Sequence, residues 1–417
     1  MHVTAITNLY PPYIIGGYEV VCSEVVAALR ERGHRVSVIC GRGTNLPSDR
    51  DVHGDLELDL DHLEDTLLGG RLPTPWEAFK LHLLSRASYR ATRQRLARLA
   101  PDVVAVWNLA MASVAPLVAA RRAGIPTTVH LSDKWLYYSL CDLEPLLRPV
   151  VRWKRLALRS AHAWLQPLVR RLAEPNHAIL VSDFLRDFYL RAGFSASGFQ
   201  TIHLGVPTAS FPSVPRPPSD RAKPLRLLFV GGLWEGKGAQ VAIRAVGQLV
   251  RSGANVHLDV CGEGVAHFER YLREIRASEG VDAHVTFHGR VGHDAVRAFY
   301  QSHDILLFPS CWDEPLAAVP LEAMSSGMAV VATTRGGTPE AIAHEDTGLL
   351  VPPNDAEALA RAVLRLHGDD ALRRDLGRRA ARVARQRFDF GAYVDRIERH
   401  YREILATGSG LPPRRTV

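Results

Sequence analysis

The chain has 417 residues, room for two domains of ordinary size, and its 47% hydrophobic and 23% charged composition is that of a globular protein in water. The net charge of +7 either favours anionic partners or reflects arginine as the surface residue this chain uses, and only five of the 51 basic residues are lysine, so a lysine in a suggestive place stands out from the background. The opening MHVTAITNLY reads as a strand rather than a signal peptide, no apolar run reaches the ~20 residues of a membrane span, and five cysteines without a CxxC pair argue against a cysteine metal site and for a reduced, cytoplasmic setting.

Apolar Val3–Thr7 predicts the first strand, and the loop that follows carries Gly16 and Gly17 into a helix with Val21, Val25, Ala28 and Leu29 on one face. Arg35–Cys40 is the next strand, so the chain opens as a βαβ unit whose first helix can receive phosphate on its N–H groups, although GxGxxG is absent; a plain tight turn at Gly16-Gly17 is the other reading. Eight acidic residues lie between Asp49 and Asp65, with Asp55, Glu57, Asp59 and Asp61 alternating with leucines. That pattern reads as an edge strand or hairpin with one wet face, or as the lining of a pocket for a cationic acceptor. A helical pattern over Trp76–Leu99 leads to a strand at Val103–Trp107, then a helix, then a strand at Thr127–Leu131 ending in HLSDKW. His130 thus stands at the C-terminal end of a parallel strand, where open α/β sheets bind ligands; a core or capping histidine is the other reading.

Over Leu146–Leu168 apolar residues recur at three- and four-residue steps, with Arg148, Arg152, Arg155 and Arg159 on the opposite side. This basic amphipathic helix either packs one face on its own domain or lies against anionic lipid. Strands at His177–Val181 and near Thr201–Leu204 follow, and then VPTASFPSVPRPPSDRAKP, whose six prolines mark a linker.

After the linker the βαβ rhythm restarts. Strand Leu225–Val230 runs into GGLWEGKGAQ, where glycines, a helix start and the Lys237 ammonium make an anion site without Walker A spacing. Strands at Val256–Cys261, Val285–His288 and Asp304–Phe308 come next, the last stopping at Pro309. Glu314 precedes the following helical pattern and Glu322 lies inside it; eight residues of helix span roughly 12 Å, too far for the acid pair of a glycoside hydrolase. The spacing suits two carboxylates holding different parts of one hydroxyl-rich ligand. Strand Ala329–Ala332, a Gly336-Gly337 turn, strand Gly348–Val351 and arginine-rich helices complete the chain; the Arg373–Arg387 cluster reads as a solvated face, without the aromatic residues that nucleic-acid binding would use.

The run PSCWDEPLAAVPLEAMSSGMAVVATTRGGTPE resembles the signature of retaining, family-4 type glycosyltransferases of the GT-B fold (glycosyl transferases group 1): Glu, seven residues, Glu, then a small-Gly turn and Gly-Gly-x-x-Glu, here Glu314, Glu322, Gly327, Gly336, Gly337 and Glu340. The resemblance implies an α/β chain of two Rossmann-like domains with parallel sheets facing across a cleft: an acceptor-side domain at 1–205, a linker at 206–224, a nucleotide-sugar domain at 225–387, and a helix and tail at 388–417 returning to the first domain. It implies transfer of a sugar, with retention, from a nucleoside diphosphate sugar, UDP favoured over GDP, to a hydroxyl of a small-molecule or lipid-linked acceptor. No metal or other cofactor and no nucleic acid is expected, and the setting is cytoplasmic, with peripheral contact at the inner membrane face through 146–168.

The site residues implied are His130, Lys237 and Glu314 for catalysis. Lys237 would hold the leaving diphosphate, Glu314 the sugar hydroxyls, Glu322 the ribose, and His130 would assist at the sugar. Gly16, Gly17, Gly231, Gly232, Arg290, Val291, Leu316, Ala317 and Ala318 would complete the donor site, with Tyr10, Trp107, Asn108, Asp133 and Lys134 on the acceptor side. Two departures stand out. Relatives carry arginine where Gly232 stands, for which Arg335 is expected to compensate, and an acidic residue directly after the histidine, whereas Asp133 comes three residues on. A GT-B phosphorylase, a nucleotide-sugar epimerase or a non-enzymatic two-domain binding protein is the alternative; the last has no need of Lys237 beside a glycine loop and two ordered glutamates.

Overall fold

A computed structural model of the chain describes residues 1–59, 85–110, 112–141, 164, 166–195, 197–214, 216 and 222–407. The chain forms two compact units. One comprises Met1–Val181, Leu185–Ile202 and Val394–Val417, and the other Ser182–Phe184 and His203–Tyr393.

The first unit is built on a seven-stranded sheet of β1 (His2–Ile6), β2 (Arg35–Arg42), β3 (Val52–Asp59), β4 (Val103–Val106), β5 (Thr127–Leu131), β6 (His177–Leu180) and β7 (Phe199–Thr201), in the order β3-β2-β1-β4-β5-β6-β7 with every pair parallel. Its helices are α1 (Gly17–Glu31), α2 (Arg86–Leu99), α3 (Ala115–Arg122), α4 (Trp135–Leu140) and most of α5 (Asp183–Arg191). Strand β4 is an apolar run without alternation, and β5, although it carries Thr127, Thr128 and His130, is buried along its whole length as well, as a parallel sheet covered on both faces requires. β3 is a parallel edge strand rather than half of a hairpin: Leu56 and Leu58 are buried, while Asp55 pairs with Arg95 at 2.6 Å and Glu57 accepts from Ser85 Oγ. The acceptor-pocket reading of this stretch, which turns on the side chains of Asp59 and Asp61, lies outside what is described, as does the 146–163 part of the basic helix.

The second unit repeats the topology with six strands, β8 (Leu225–Val230), β9 (Val256–Cys261), β10 (Val285–Gly289), β11 (Ile305–Phe308), β12 (Ala329–Thr333) and β13 (Leu349–Val351), in the order β10-β9-β8-β11-β12-β13. The helices are α6 (Ala239–Arg251), α7 (Ala266–Ser278), α8 (His293–Ser302), α9 (Ala318–Ser325), α10 (Thr338–Ala341), α11 (Ala356–Gly368), α12 (Asp370–Arg387) and the start of α13 (Phe390–Ala406). Leu227, Phe229, Leu258, Val260, Leu307 and Val331 form the apolar sheet face under Val246, Leu249 and Leu359.

Three sequence readings shift. The strand expected near Thr201–Leu204 is β7, two residues earlier; Ile202 and Leu204 are buried beyond its ladder. The proline-rich stretch is anchored where described: the Arg216 guanidinium donates to the carbonyls of Tyr300, His303, Ser326 and Gly327, closing the C-terminal ends of α8 and α9. The arginines of α12 are not all solvated, since Arg373 is 1% exposed and paired with Asp370. From Val394 onward α13 belongs to the first unit, where Glu398 meets Arg32 and His34, so the expected return of the C-terminal helix is present.

Candidate functional site

In a doubly wound sheet, ligands bind beyond the carboxyl ends of the strands, at the point where strand order reverses. In the second unit that point lies between β8 and β11. The loop after β8 carries Lys237 and the loop after β11 carries Glu314, so topology alone brings together two residues 77 positions apart. Lys237 Nζ lies 2.6 Å from Glu314 Oε2, and Trp312 Nε1 donates to the same oxygen at 2.7 Å. Among the described residues nothing bonds Oε1.

Glycines set the approach of the two loops. Gly238 has φ +80° and Gly336 φ +58°, and a Cβ would overlap the Pro309 carbonyl at the first and the Glu314 backbone at the second. Only glycine satisfies both the left-handed backbone and the missing space. The Trp234 indole lies over Gly236 and meets Trp312 edge-on, with centroids 5.6 Å apart. Ala317 is the N-cap of α9 and Ala318 its first residue, so Leu316, Ala317 and Ala318 sit at the positive end of that helix. Glu322, one turn on, is buried and accepts from Tyr300 Oη at 2.9 Å.

Gly289 ends β10 with φ +67°, its carbonyl accepts from Gly262 N–H, and the exposed Arg290 pairs with Glu263 at 3.3 Å. Arg335, expected to stand in for the arginine lacking at Gly232, is engaged by Asp313 at 3.2 Å. Glu340 closes the Gly-Gly-x-x-Glu motif: its carboxylate accepts the N–H groups of Asp183 and Phe184 and lies 2.9 Å from His203 Nε2. Burial works against ionisation of Glu340, but the His203 and N–H hydrogen bonds outweigh it and hold its pKa below the ordinary value. Asp183, His203 and Glu340 are the one group among the described residues with metal-ligand spacing; these hydrogen bonds already occupy the Glu340 oxygens.

In the first unit the reversal falls between β1 and β4, where Tyr10, Gly16, Trp107 and Asn108 lie on the following loops and Gly17 opens α1. Gly16 caps α1, but its N–H is taken by Glu19 Oε2 at 2.9 Å. The His130 ring is 2% exposed, stacked on Trp107 at 4.0 Å between centroids, and its Nε2 lies 2.8 Å from Tyr401 Oη. Burial lowers its pKa well below that of a free histidine, which keeps it neutral. Tyr10, Trp107 and Asn108 are buried too, whereas Asp133 and Lys134 are half-buried. Asp133 Oδ1 accepts from Trp135 N–H at 2.7 Å, and burial raises its pKa to about 6. Lys134 Nζ lies 4.6 Å from the Phe188 ring centroid.

Several partners had no sequence signal. Trp312 on Glu314, Tyr300 on Glu322 and Tyr401 on His130 are side-chain meetings that no spacing rule predicts. Asp259 gathers His288 at 2.6 Å, His303 at 2.7 Å and Arg226 at 3.2 Å; burial opposes its ionisation, yet these donors bring its carboxyl down to about 2.

The profile described as Glycosyltransferase Family 4 matches residues 15–210, and that described as Glycosyl transferases group 1 matches residues 224–369. Glycogen synthase of Mycobacterium tuberculosis (strain ATCC 25618 / H37Rv) is 28% identical over 398 residues, covering 93% of this chain and 90% of that protein. Alpha-D-kanosaminyltransferase of Streptomyces kanamyceticus is 26% identical over 302 residues, 69% of this chain and 73% of that one. In fold, sucrose-phosphate synthase from Thermosynechococcus elongatus superposes with a TM-score of 0.73 at 20% identity, over 97% of this chain and 99% of that chain. The Anabaena protein HepE in complex with UDP superposes with a TM-score of 0.70 at 19% identity, over 97% and 100%. Two family profiles that between them cover residues 15–210 and 224–369, together with the shared two-sheet fold, place the chain among the GT-B glycosyltransferases of family-4 type.

Proposed function

We propose that this glycosyltransferase moves a sugar from a nucleoside diphosphate sugar, a uridine donor ahead of a guanosine one, to a hydroxyl of a small-molecule or lipid-linked acceptor, with retention at the anomeric carbon. The observation that carries the reading is the Lys237–Glu314 pair, set between a glycine loop and the start of α9. The same fold in HepE holds UDP in one crystal structure and UDP-glucose in another, which supports a donor of this class.

On this reading the donor diphosphate draws the Lys237 ammonium away from Glu314 and rests against the N–H groups of the Gly231-Gly232 loop and the start of α9. Glu314, still held by Trp312, turns its open oxygen to the sugar hydroxyls. Glu322 takes the ribose, and the backbone at Arg290 and Val291 borders the base. As the anomeric carbon–phosphate oxygen bond breaks, the acceptor oxygen bonds to that carbon and its proton passes to the leaving phosphate, giving a glycoside and a nucleoside diphosphate. Charge on the leaving group grows through this step, so Lys237 is worth most at the transition state. His130 belongs to the proposal on one condition: its ring must leave Tyr401 to reach a sugar. The chain works in the cytoplasm without a bound metal.

Trp234, 43% exposed, and Trp312 make the site readable by fluorescence. Titration with UDP and GDP, followed by a screen of nucleotide sugars for slow hydrolysis without acceptor, should give saturable quenching and release of nucleoside diphosphate from one donor. Turnover only with a sugar phosphate, or no response to either nucleotide, would overturn the reading.

A further inference from the structure

The first unit carries a second feature, along α2. A cavity of about 750 Å³ runs along α2, with walls from α2, α3 and the helical segment 166–173. Arg86, Arg90 and Arg93 line it at steps of four and three residues, one face of α2, and Arg122 reaches it from α3. Its apolar wall includes Val118 and Leu172.

None of these four guanidiniums has an ion-pair or hydrogen-bond partner among the described residues, whereas Arg95 on the same helix is held by Asp55 at 2.6 Å. Helix α2 contains no acidic residue, so the stripe repels itself at helical i,i+3 and i,i+4 distances. Arg86 is also the first helical residue, where a cation opposes the helix dipole. The nearby carboxylate, Glu57, is engaged by Ser85 Oγ at 2.6 Å. An arrangement that costs stability in the free chain is relieved by an anion. At four-residue steps before Leu172 in the sequence, two apolar side chains are exposed, Leu168 at 56% and Trp164 at 80%. A soluble anion would have no use for them.

We propose that this face docks on a bilayer containing anionic phospholipid, with lipid phosphates entering the arginine-lined cavity and Trp164 and Leu168 entering the headgroup and acyl boundary. Arginine stems lie along apolar surface while their heads meet phosphate, and an indole and a leucine beside them supply the buried area that such binding needs.

The test is flotation of the full chain with phosphatidylcholine vesicles, with and without phosphatidylglycerol. The chain should float only with the anionic vesicles. R86Q/R90Q/R93Q should weaken retention on the order of 100-fold, R86K/R90K/R93K should stay within a few-fold of the parent, and W164S/L168S should lose about tenfold or more. Thermal melts check that each variant folds. Equal flotation with neutral vesicles, no flotation at all, or a triple glutamine variant like the parent would overturn the proposal. So would displacement by inorganic pyrophosphate at matched ionic strength, which would mark a site for a soluble anion. Sugar transfer is not read in this experiment, so its outcome is independent of the donor assignment.

Discussion

Replacing Glu314 with glutamine should have opposite effects on nucleotide binding and on turnover. Without ligand, Lys237 Nζ is 2.6 Å from Glu314 Oε2, with side-chain exposures of 22% and 10%, so the pair is neither fully screened nor fully buried. Exposed pairs are worth about 0.2–1 kcal/mol and breaking a buried one costs about 3–5 kcal/mol; an intermediate figure of about 1–2 kcal/mol is what a diphosphate must overcome to recruit the ammonium. Glu314→Gln removes that competition and keeps the side-chain shape and the oxygen that Trp312 bonds. Free UDP, or GDP if that is the donor nucleotide, should therefore bind about tenfold more tightly, equivalent to about 1.4 kcal/mol. Transfer should fall by about 100-fold or more, because the sugar loses a charged hydrogen-bond acceptor. Calorimetric titration of the parent, Lys237→Ala, Glu314→Gln and the double variant separates the effects: the tightening should vanish in the Lys237→Ala background if it runs through the ammonium. Unchanged or weaker nucleotide binding by Glu314→Gln would refute the reasoning.

Three further outcomes follow from the geometry. Gly336→Ala should cut transfer at least tenfold and lower stability by about 1–3 kcal/mol, since the left-handed backbone and the Glu314 carbonyl both reject a Cβ; activity assays and urea melts check this. Asp133→Asn should stabilise the protein by roughly 2–3 kcal/mol at pH 8 and not at pH 3.5: a carboxyl whose pKa is raised to about 6 by burial adds a penalty that grows as pH rises from about 4 to 6 and stays above it, as paired melts at the two pH values would show. Arg216→Ala should cost about 2–4 kcal/mol in a urea melt, because it strips a donor from four carbonyls at two helix ends.

The sequence by itself determined the element order and the positions of most strands. Strands β5, β8 and β9 fall on the predicted residues because each is a short run built on Val, Leu and Thr and bounded by proline or glycine, with most of its side chains buried in a parallel sheet. Lys237, Glu314 and the Gly336-Gly337 turn were also legible one at a time, as a cation, a carboxylate and glycines at loop positions.

What pairs with what was decided only in three dimensions. Glu314 reads as a ligand-holding acid, but that its resting partners are Lys237 and Trp312 depends on the reversal of strand order between β8 and β11. His130 reads either as a residue facing a ligand or as a core histidine, and its partners Trp107 and Tyr401, the latter 271 positions away, are set by the fold. Arg335 reads as the cation standing in for the one lacking at Gly232 and Arg373 as a solvated one; that they pair with Asp313 and Asp370 is seen only in the fold. Local pattern fixes which face of a strand or helix is apolar, because that face is set by neighbours two to four residues away. The partner of a buried charge is set by whichever distant segment the topology brings within about 4 Å, and a linear sequence does not carry that distance.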